Sequence, residues 1–337
     1  MKDFSSSKNF SHHPVMLQEV LKLCEPENGG QFIDCTFGSG GYTNAILSFP
    51  KTSVIALDRD TYTEKHVASI KTRYKNRFQF YNNKFSQLNK VVGTDVKVDF
   101  IIFDLGLSSF QILNLQRGFS FQSKDKVDMR MGLNSISAEE VLNNFESKTI
   151  NDILRLFGEE KDSFRISKNI IREREKKPIS YIPQLVEIIK KSKKKDFKKK
   201  INIATQSFQA IRIFVNKEIS ELIEGLINAS RFLKVGGKLI VVSFHSIEDR
   251  IVKFFFNNYS KNKSRTSRYY PEPNKAKFLF ENYKNKVIRP TSEEIKLNPP
   301  SRSAKLRFVT RNKENFFYPE ELREKFINYL ELESRHV

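Results

Sequence analysis

The chain has 337 residues, 39% of them hydrophobic, and a net charge of +20, so it is long enough for a large α/β domain with a smaller one embedded in it. No apolar run reaches the roughly 18 residues of a membrane span, and the polar residues 1–14 lack the pattern of a signal or transit peptide. We therefore expect a soluble, cytoplasmic protein, and its two cysteines exclude a disulfide framework, a Cys-rich zinc site and an iron–sulfur cluster.

Apolar runs at residues 31–36, 53–58 and 98–104 have the character of buried strands. Helix-like stretches follow the first two runs, at 42–49 and 61–75. Continuous apolar runs are typical of parallel strands that are covered on both faces. The alternation predicts an α/β fold with a Rossmann-like, doubly wound parallel sheet.

The alternation gives way to helical signals after Ser109. Ser137 and Glu140 have the spacing of a capping box, and Ile153 and Phe157 repeat at helical spacing. The sequence therefore predicts a mainly helical insertion between two strands of the sheet.

The predicted insertion divides the chain into two domains. We expect residues 1–114 and 204–337 to form the cofactor-binding domain and residues 115–203 to form a substrate-recognition domain. The apolar spacing over 208–233 predicts one long amphipathic helix that returns the chain to the sheet.

Near the C-terminus the sequence predicts two more strands, at residues 238–244 and 303–310. The glycines Gly236 and Gly237 precede the first of them as a turn. Residues 261–300 combine proline and charge with weak periodicity, which predicts a loop.

Two segments carry most of the positive charge. Residues 190–200 contain eight lysines and one aspartate, and residues 261–311 contain 14 basic and four acidic side chains. A near-neutral body with basic segments is typical of an enzyme that docks on a polyanion, although a solvated lysine-rich loop is the alternative for the first segment. Aromatic residues are interleaved with the second segment, as stacking on unpaired bases would require: Tyr269, Tyr270, Phe278, Phe280 and Tyr283.

A glycine-rich loop follows the first predicted strand, at residues 38–41. Such a loop lets the backbone approach a ligand, but its spacing matches neither a dinucleotide fingerprint nor a phosphate loop. Asp58 ends the next strand, where its carboxylate can accept hydrogen bonds from both hydroxyls of a ribose. The glycine-rich loop and Asp58 together favour S-adenosylmethionine as the cofactor. The alternative role of Asp58 is the N-cap of the following helix.

The third strand ends at Asp104, in a segment that continues to Gln111. Transfer of a methyl group to an exocyclic amine needs acceptors that hold the two N–H groups while the nitrogen attacks. Asp104 and the region of Ser108 are suitable acceptors, and the alternative is that Asp104 only binds cofactor. Methylation at C5 of cytosine needs a thiolate on a later loop, which Cys24 and Cys35 do not supply.

Several further motifs occur in one order from about residue 13 to residue 311, and together they resemble the small-subunit ribosomal RNA (cytosine-N4)-methyltransferase family, methyltransferase H. The motifs are Gly38-Ser39-Gly40-Gly41, residues 104–111, Arg117-Gly118-Phe119-Ser120-Phe121, Asp128-Met129-Arg130-Met131, Gly158-Glu159-Glu160, Ser207-Phe208-Gln209-Ala210 with Arg212 and Asn216, and Ser243-Phe244-His245-Ser246 with Glu248-Asp249-Arg250.

The resemblance implies methylation of the N4 amine of a cytosine in the decoding region of 16S rRNA, with 16S rRNA or the small ribosomal subunit as partner. It implies catalytic roles for Asp104 and Ser108. The cofactor residues that it implies are Gly40, Gly41, Tyr42, Asp58, Phe85, Asp104 and Gln111. The chain departs from the family pattern at Tyr42, where His is usual, and at Gln206 and Pro300, where Arg is common.

Four basic side chains are predicted to contact RNA: Arg117, Arg130, Lys193 and Lys194. For Arg130, pairing with Asp128 is the alternative. The five histidines show no metal-ligand spacing, so we expect no metal and a structural role for His245.

Two other functions stay open from the residues alone. One is a DNA amine methyltransferase, although Leu105 and Gly106 stand where its Pro-Pro motif would continue from Asp104. The other is a non-catalytic RNA-binding protein of ribosome assembly.

Overall fold

The computed structural model describes residues 14–93, 95–134, 136–193, 202–261, 277–281 and 283–335. Its strands are β1 (Gly30–Asp34), β2 (Thr52–Asp58), β3 (Phe78–Asn82), β4 (Val98–Asp104), β5 (Leu233–Ser243) and β6 (Lys305–Thr310). They form one sheet in the order β3-β2-β1-β4-β5-β6, in which β6 is antiparallel to β5 and the other neighbours are parallel. The predicted Rossmann-like α/β fold is confirmed.

The α-helices of the described residues are α1 (Leu17–Cys24), α2 (Gly41–Leu47), α3 (Glu64–Tyr74), α4 (Leu88–Val91), α5 (Ser109–Leu113), α6 (Ala138–Asn144), α7 (Ser147–Gly158), α8 (Ser163–Arg174), α9 (Ile182–Ser192), α10 (Thr205–Asn216), α11 (Glu218–Phe232), α12 (Ser246–Asn258), α13 (Ser292–Leu297), α14 (Glu320–Lys325) and α15 (Ile327–Ser334). Among the described residues, none of these helices is long and apolar enough to cross a membrane.

Most strands follow the apolar runs that predicted them, but the sequence did not predict β3. This five-residue strand pairs only with β2 at the edge of the sheet, and its short, mixed sequence gives a weak signal. Strand β5 begins at Leu233, earlier than predicted, because the two glycines taken for a turn continue the strand. Gly236 N–H donates to Arg311 O at 2.9 Å, and Arg311 N–H donates to Gly237 O at 2.8 Å.

The prediction of one helix over 208–233 is wrong. The chain breaks between α10 and α11 at Lys217, which takes the left-handed conformation with φ 50°. The buried side chain of Asn216 explains the position of the break. Its Nδ2 donates to Met129 O and its Oδ1 accepts from Met131 N–H, both at 2.8 Å. The end of α10 thus anchors the segment 129–131.

Helices α6 to α9 lie between β4 and β5 in the chain, where the helical insertion was predicted. The capping box is present: Ser137 N–H donates to Glu140 Oε2 at 2.8 Å, and Glu140 N–H donates to Ser137 Oγ at 3.2 Å. Ile153 and Phe157 are buried on one face of α7. The division into two domains stays a prediction.

The loop predicted over residues 261–300 is wrong in part, because α13 lies within it. Thr291 accepts the N–H of Glu294 at 3.2 Å and caps this helix, a local signal that the weak periodicity concealed. Residues 262–276 and 282 lie outside the described part of the chain.

The strand order creates a crevice at one edge of the sheet. Connections from β1 lead to β2 and β3 on one side, whereas connections from β4 lead to β5 and β6 on the other. Ligands of doubly wound sheets bind where this direction changes, outside the carboxyl ends of the strands. Asp34, Asp58 and Asp104 end three of the strands at this edge.

Candidate active site

A cavity of about 360 Å³ opens at the carboxyl ends of β1, β2 and β4. Its volume is in the range of pockets that hold cofactors. Most of the residues predicted to bind cofactor or target line it: Gly41, Tyr42, Asp58, Phe85, Asp104, Ser108 and Gln111. The fold therefore brings together residues that are far apart in sequence.

The glycine loop between β1 and α2 is held in a form that side chains would disturb. Gly40 has φ 80°, and a Cβ atom there would lie 2.5 Å from Ile70 Cδ1. A Cβ atom on Gly41 would overlap the ring of Pro14. Gly40 is the N-cap of α2 and does not itself line the cavity, whereas Gly41 does.

The Asp58 carboxylate is fixed by backbone N–H groups. Its Oδ2 accepts from Gly38 at 2.7 Å and its Oδ1 accepts from Asp60 at 2.9 Å. Burial raises the pKa of Asp58 to about 6, and these two hydrogen bonds partly oppose the rise. Each oxygen keeps acceptor capacity toward the cavity, because a carboxylate has about four lone-pair sites.

Asp104 and Ser108 differ from Asp58 in their hydrogen bonding within the described part of the chain. Asp104 Oδ1 and Ser108 Oγ are buried and make no hydrogen bond of normal length among the described residues, although Ser108 Oγ faces the Gln111 N–H as the cap of α5. Buried polar atoms normally have partners, so this pair indicates a place for a bound group. Burial, and then the negative charges of Asp34, Glu248 and Glu294, raise the pKa of Asp104 well above its usual value.

Gln111 is held at both ends of its side-chain amide. Its Oε1 accepts from Ser108 N–H at 2.9 Å, and its Nε2 donates to Asp60 Oδ2 at 2.7 Å. The same Asp60 oxygen accepts from Arg117 Nη1 at 2.5 Å. Asp60 was not predicted, although it follows Asp58 closely and sits on the same turn.

Tyr42 and Phe85 line opposite parts of the cavity from α2 and from the segment before α4. The Tyr42 hydroxyl donates to Val15 O, and burial raises its pKa well above its usual value. The Phe85 ring packs edge-on against Phe103 with centroids 5.2 Å apart. Tyr42 therefore ties the loop to the N-terminal segment, whereas Phe85 supplies an apolar wall.

Several cavity residues were not predicted, among them residues of α10, of α11 and of the segment after β5. Arg212 donates to both carboxylate oxygens of Glu218 at 2.8 Å. Glu248 Oε2 accepts from Phe244 N–H at 2.8 Å, and its Oε1 lies 3.1 Å from His245 Nε2. The signal for the second group was the His-x-x-Glu spacing of a helix cap.

Glu218, His245 and Glu248 are close enough to raise the question of a metal, because their ligand atoms all lie within 4.8 Å of one another. The carboxylates already have partners: Arg212 occupies Glu218, and backbone N–H groups occupy Glu248. The charges and lone pairs of these two carboxylates are therefore satisfied without a cation. The absence of a metal from the enzyme stays a prediction.

Arg117, Arg130 and Lys193, three of the side chains predicted to contact RNA, do not line this cavity. Arg130 is 42% exposed and makes bonds of 2.7 and 3.0 Å to Asp128, the pairing considered as its alternative. Lys193 is only 8% exposed, pairs with Glu160 and donates to Ile203 O. Lys194 lies outside the described residues. Phosphate contact by Arg117 or Lys193 would require each to leave a buried acidic partner.

Two of the aromatic residues predicted to stack on bases, Phe280 and Tyr283, are not available at the surface. Phe280 and Tyr283 are buried, and Phe256 packs against both at 5.9 and 5.6 Å between centroids. They belong to the core beneath α12. Tyr269 and Tyr270 lie outside the described residues.

Neither cysteine is suited to nucleophilic attack. Burial raises the pKa of Cys24 to about 12, and burial with the nearby Asp34 raises that of Cys35 well above its usual value. The reactive form of cysteine is the thiolate. The chemistry of this cavity therefore favours an amine over ring C5 as the methyl acceptor.

Comparison with known proteins points to one family of methylases. Residues 9–312 match the model of the MraW methylase family. Proteins named ribosomal RNA small subunit methyltransferase H are similar over most of their length. That of Ehrlichia canis is 42% identical over 301 residues, which cover 88% of this chain and 99% of the relative. That of Zymomonas mobilis is 42% identical, with 90% and 92% covered, and that of Rickettsia typhi is 44% identical, with 88% and 97% covered.

Proposed function

The chain belongs to the MraW methylase family, and on that basis we propose that it methylates the N4 amine of a cytosine in the decoding region of 16S rRNA. S-adenosylmethionine is the methyl donor, and its sulfonium supplies the driving force, so the transfer needs no metal. The observation that carries the proposal is the pair of buried atoms beside the glycine loop, Asp104 Oδ1 and Ser108 Oγ, that make no hydrogen bond of normal length among the described residues.

The residues around the cavity fit this cofactor. Asp58 offers a fixed carboxylate to the ribose hydroxyls, and Gly41 lines the cavity in a loop packed too closely against Pro14 and Ile70 to carry side chains. Phe85 supplies an apolar wall, and Tyr42 and Gln111 complete the lining. In this assignment Asp104 contacts both the cofactor and the target.

The target amine is held by acceptors. An exocyclic amine shares its lone pair with the ring, and two hydrogen-bond acceptors on its N–H groups orient the nitrogen for in-line attack. Asp104 Oδ1 and Ser108 Oγ are the acceptors in this proposal. A cytosine in this position must leave any stack, which costs a few kcal/mol when the base is paired.

The RNA strand is held by basic groups outside the cavity. We assign this role to Arg130 and to the lysine-rich segment that begins at Lys194, since Lys193 is paired with Glu160, with the small ribosomal subunit or its RNA as the partner. The helices of residues 115–203 are the substrate-recognition domain in this proposal.

The test is a tritiated-methyl assay with naked 16S rRNA, assembled small subunits and DNA, followed by nucleoside analysis. We expect label only in RNA, as N4-methylcytidine. Labelled 5-methylcytidine or labelled DNA would overturn the proposal. Comparison of the two RNA substrates identifies which of them the enzyme uses.

A further inference from the structure

Asp60 is a buried carboxylate outside the predicted site that joins three of its parts. It is 0% exposed and lies two residues beyond Asp58, the proposed ribose ligand. Its Oδ1 accepts from Tyr62 N–H at 3.0 Å, whereas its Oδ2 accepts from Gln111 Nε2 and from Arg117 Nη1. The side chain thus connects the turn after β2 with α5 and with the segment that follows it.

These contacts fix the orientation of the Gln111 amide. A carboxylate only accepts hydrogen bonds, so the Nε2 end must face Asp60. Ser108 N–H only donates, so the Oε1 end must face Ser108, at 2.9 Å. Nε2 is thus committed to Asp60 and Oε1 to Ser108, while Gln111 lines the cavity.

Arg117 compensates the charge of Asp60 and is itself enclosed. Its guanidinium donates to Arg130 O at 2.8 Å, and its Cζ lies 4.8 Å from the Tyr62 ring and 5.3 Å from the Phe119 ring. Only 10% of its side chain is exposed. Removal of one partner from a buried ion pair leaves an unpaired charge, which is costly. The surroundings of Arg117 therefore favour a partner inside the protein over a phosphate.

We propose that Asp60 and Arg117 are positioning residues that hold Gln111, and through it the Ser108 segment, in the arrangement that methyl transfer requires. The proposal rests on the proposed function, because it concerns the same reaction. It assigns to Arg117 a role inside the protein in place of the RNA contact predicted from the sequence.

The first test changes the hydrogen-bonding groups of Asp60 and then those of its partner Gln111. Asp60→Asn keeps the size of the side chain but has one acceptor oxygen in place of two and no charge, so it cannot serve Tyr62 N–H and also Gln111 Nε2 with Arg117. We expect kcat on 16S rRNA at saturating cofactor to fall at least about tenfold, as for the loss of a hydrogen bond to a charged group. Adding Gln111→Glu restores one donor–acceptor pair, because the amide introduced by Asp60→Asn can donate to the new carboxylate while Ser108 N–H keeps its acceptor.

Recovery of most of the lost kcat in this double variant is the expected result. A simple loss of folded structure would not be reversed by a second buried substitution. An unchanged kcat in Asp60→Asn overturns the proposal, and so does a double variant that is no more active than Asp60→Asn.

The second test asks where Arg117 acts. Arg117→Gln should lower kcat and leave the slope of log KM for RNA against log salt unchanged. Removal of a phosphate-binding charge would instead reduce that slope by about 0.7 for single-stranded RNA. Arg323→Gln removes an exposed, acid-paired charge on α14, outside residues 115–203 and the cavity, and serves as the matched control, with wild-type kcat and slope expected. A reduced slope in Arg117→Gln with kcat unchanged overturns the proposal.

Failure of this inference is distinct from failure of the proposed function. A wild-type protein that does not label rRNA contradicts the proposed function itself. A wild-type protein that labels rRNA, together with fully active Asp60→Asn and Arg117→Gln variants, contradicts only the positioning roles.

Discussion

The parts of the cavity that we propose for the cofactor and for the target, called here the cofactor end and the target end, differ in how completely the protein satisfies its own polar atoms. At the cofactor end, both oxygens of Asp58 accept from backbone N–H groups, and neighbouring residues fix the glycine loop. At the target end, Asp104 Oδ1 and Ser108 Oγ are buried and make no hydrogen bond of normal length among the described residues. The cofactor end is thus preorganised, whereas the target end is completed only by a donor from outside.

This difference separates binding from catalysis. A site whose acceptors already have partners loses little when its ligand leaves, which suits a cofactor that is exchanged in every turnover. Unpartnered acceptors are costly in the free enzyme and are satisfied by the N–H groups of the target amine. The strongest catalytic effects are therefore expected at Asp104 and the strongest effects on cofactor affinity at Asp58.

The largest effect is expected from Asp104→Asn. If Asp104 holds the target amine, the amide places a donor where an acceptor is needed, and kcat should fall by about 100- to 1,000-fold. The dissociation constant of S-adenosylhomocysteine, measured by calorimetry, should rise by a smaller factor than that by which kcat falls, because Asp104 contacts the cofactor as well as the target in this proposal.

Asp99→Asn is the matched control, because Asp99 lies near the opposite end of the same strand, where it pairs with Lys234. It should retain wild-type kcat. A large rise in the dissociation constant of Asp104→Asn with kcat preserved would instead assign Asp104 to cofactor binding alone.

The next effect concerns the cofactor end. Asp58→Ala should weaken cofactor binding by about 1.5 to 3 kcal/mol, because charge-assisted hydrogen bonds to the ribose are removed. Calorimetric titration of the variant measures this change directly. Asp95→Ala, which removes an exposed carboxylate, should bind as the wild type does. An unchanged dissociation constant in Asp58→Ala would remove Asp58 from the site.

A smaller, continuous effect is expected from pH. Because burial raises the pKa of Asp58 to about 6, the carboxyl group takes up a proton below that pH and loses its charge. Cofactor affinity should then fall by up to about tenfold for each pH unit below 6. Titrations between pH 5 and 8 measure this, and Asp58→Asn should abolish the dependence. Equal affinity at pH 5 and pH 7 in the wild type would contradict it.

The free energy of unfolding of the protein without cofactor should depend on pH in the opposite direction to cofactor affinity, because protonation of Asp58 stabilises the folded state. The pKa of Asp58 rises from 3.8 to about 6 on folding, so the folded state binds the proton more tightly than the unfolded state does. Its contribution is complete below pH 3.8 and is lost as the pH rises through 6. Asp34, whose pKa burial also raises to about 6, adds to the same trend. Chemical denaturation at pH 5 and pH 7 compares the Asp58→Asn variant, which lacks the Asp58 contribution, with the wild type.

The sequence alone was sufficient to predict, at both ends of the cavity, the carboxylates that end a strand. Asp58 and Asp104 were predictable because each ends a continuous apolar run, and parallel strands bring such ends to one edge. Tyr42, Phe85 and Gln111 came from the resemblance to a family rather than from their own chemistry.

The partners of these residues were not predictable. Asp60 meets side chains 51 and 57 positions further along the chain, and no local spacing encodes such contacts. The same limit explains the break at Lys217, which depends on what Asn216 contacts in the folded protein. A basic run likewise does not reveal which of its charges is already paired.

The smallest effect tests how far the target end extends along the RNA. Lys193 pairs with buried Glu160, so we exclude it and replace Lys194, Lys195, Lys198 and Lys199 by Gln. RNA affinity should weaken several-fold, and the slope of log affinity against log salt should flatten by about 0.7 for each phosphate that is no longer neutralised. Lys193→Gln provides the contrast, since removal of one partner of a buried pair should lower the melting temperature while the slope stays unchanged. An unaltered slope in the fourfold variant would mean that these lysines are solvated and that the target end is confined to the cavity and its rim.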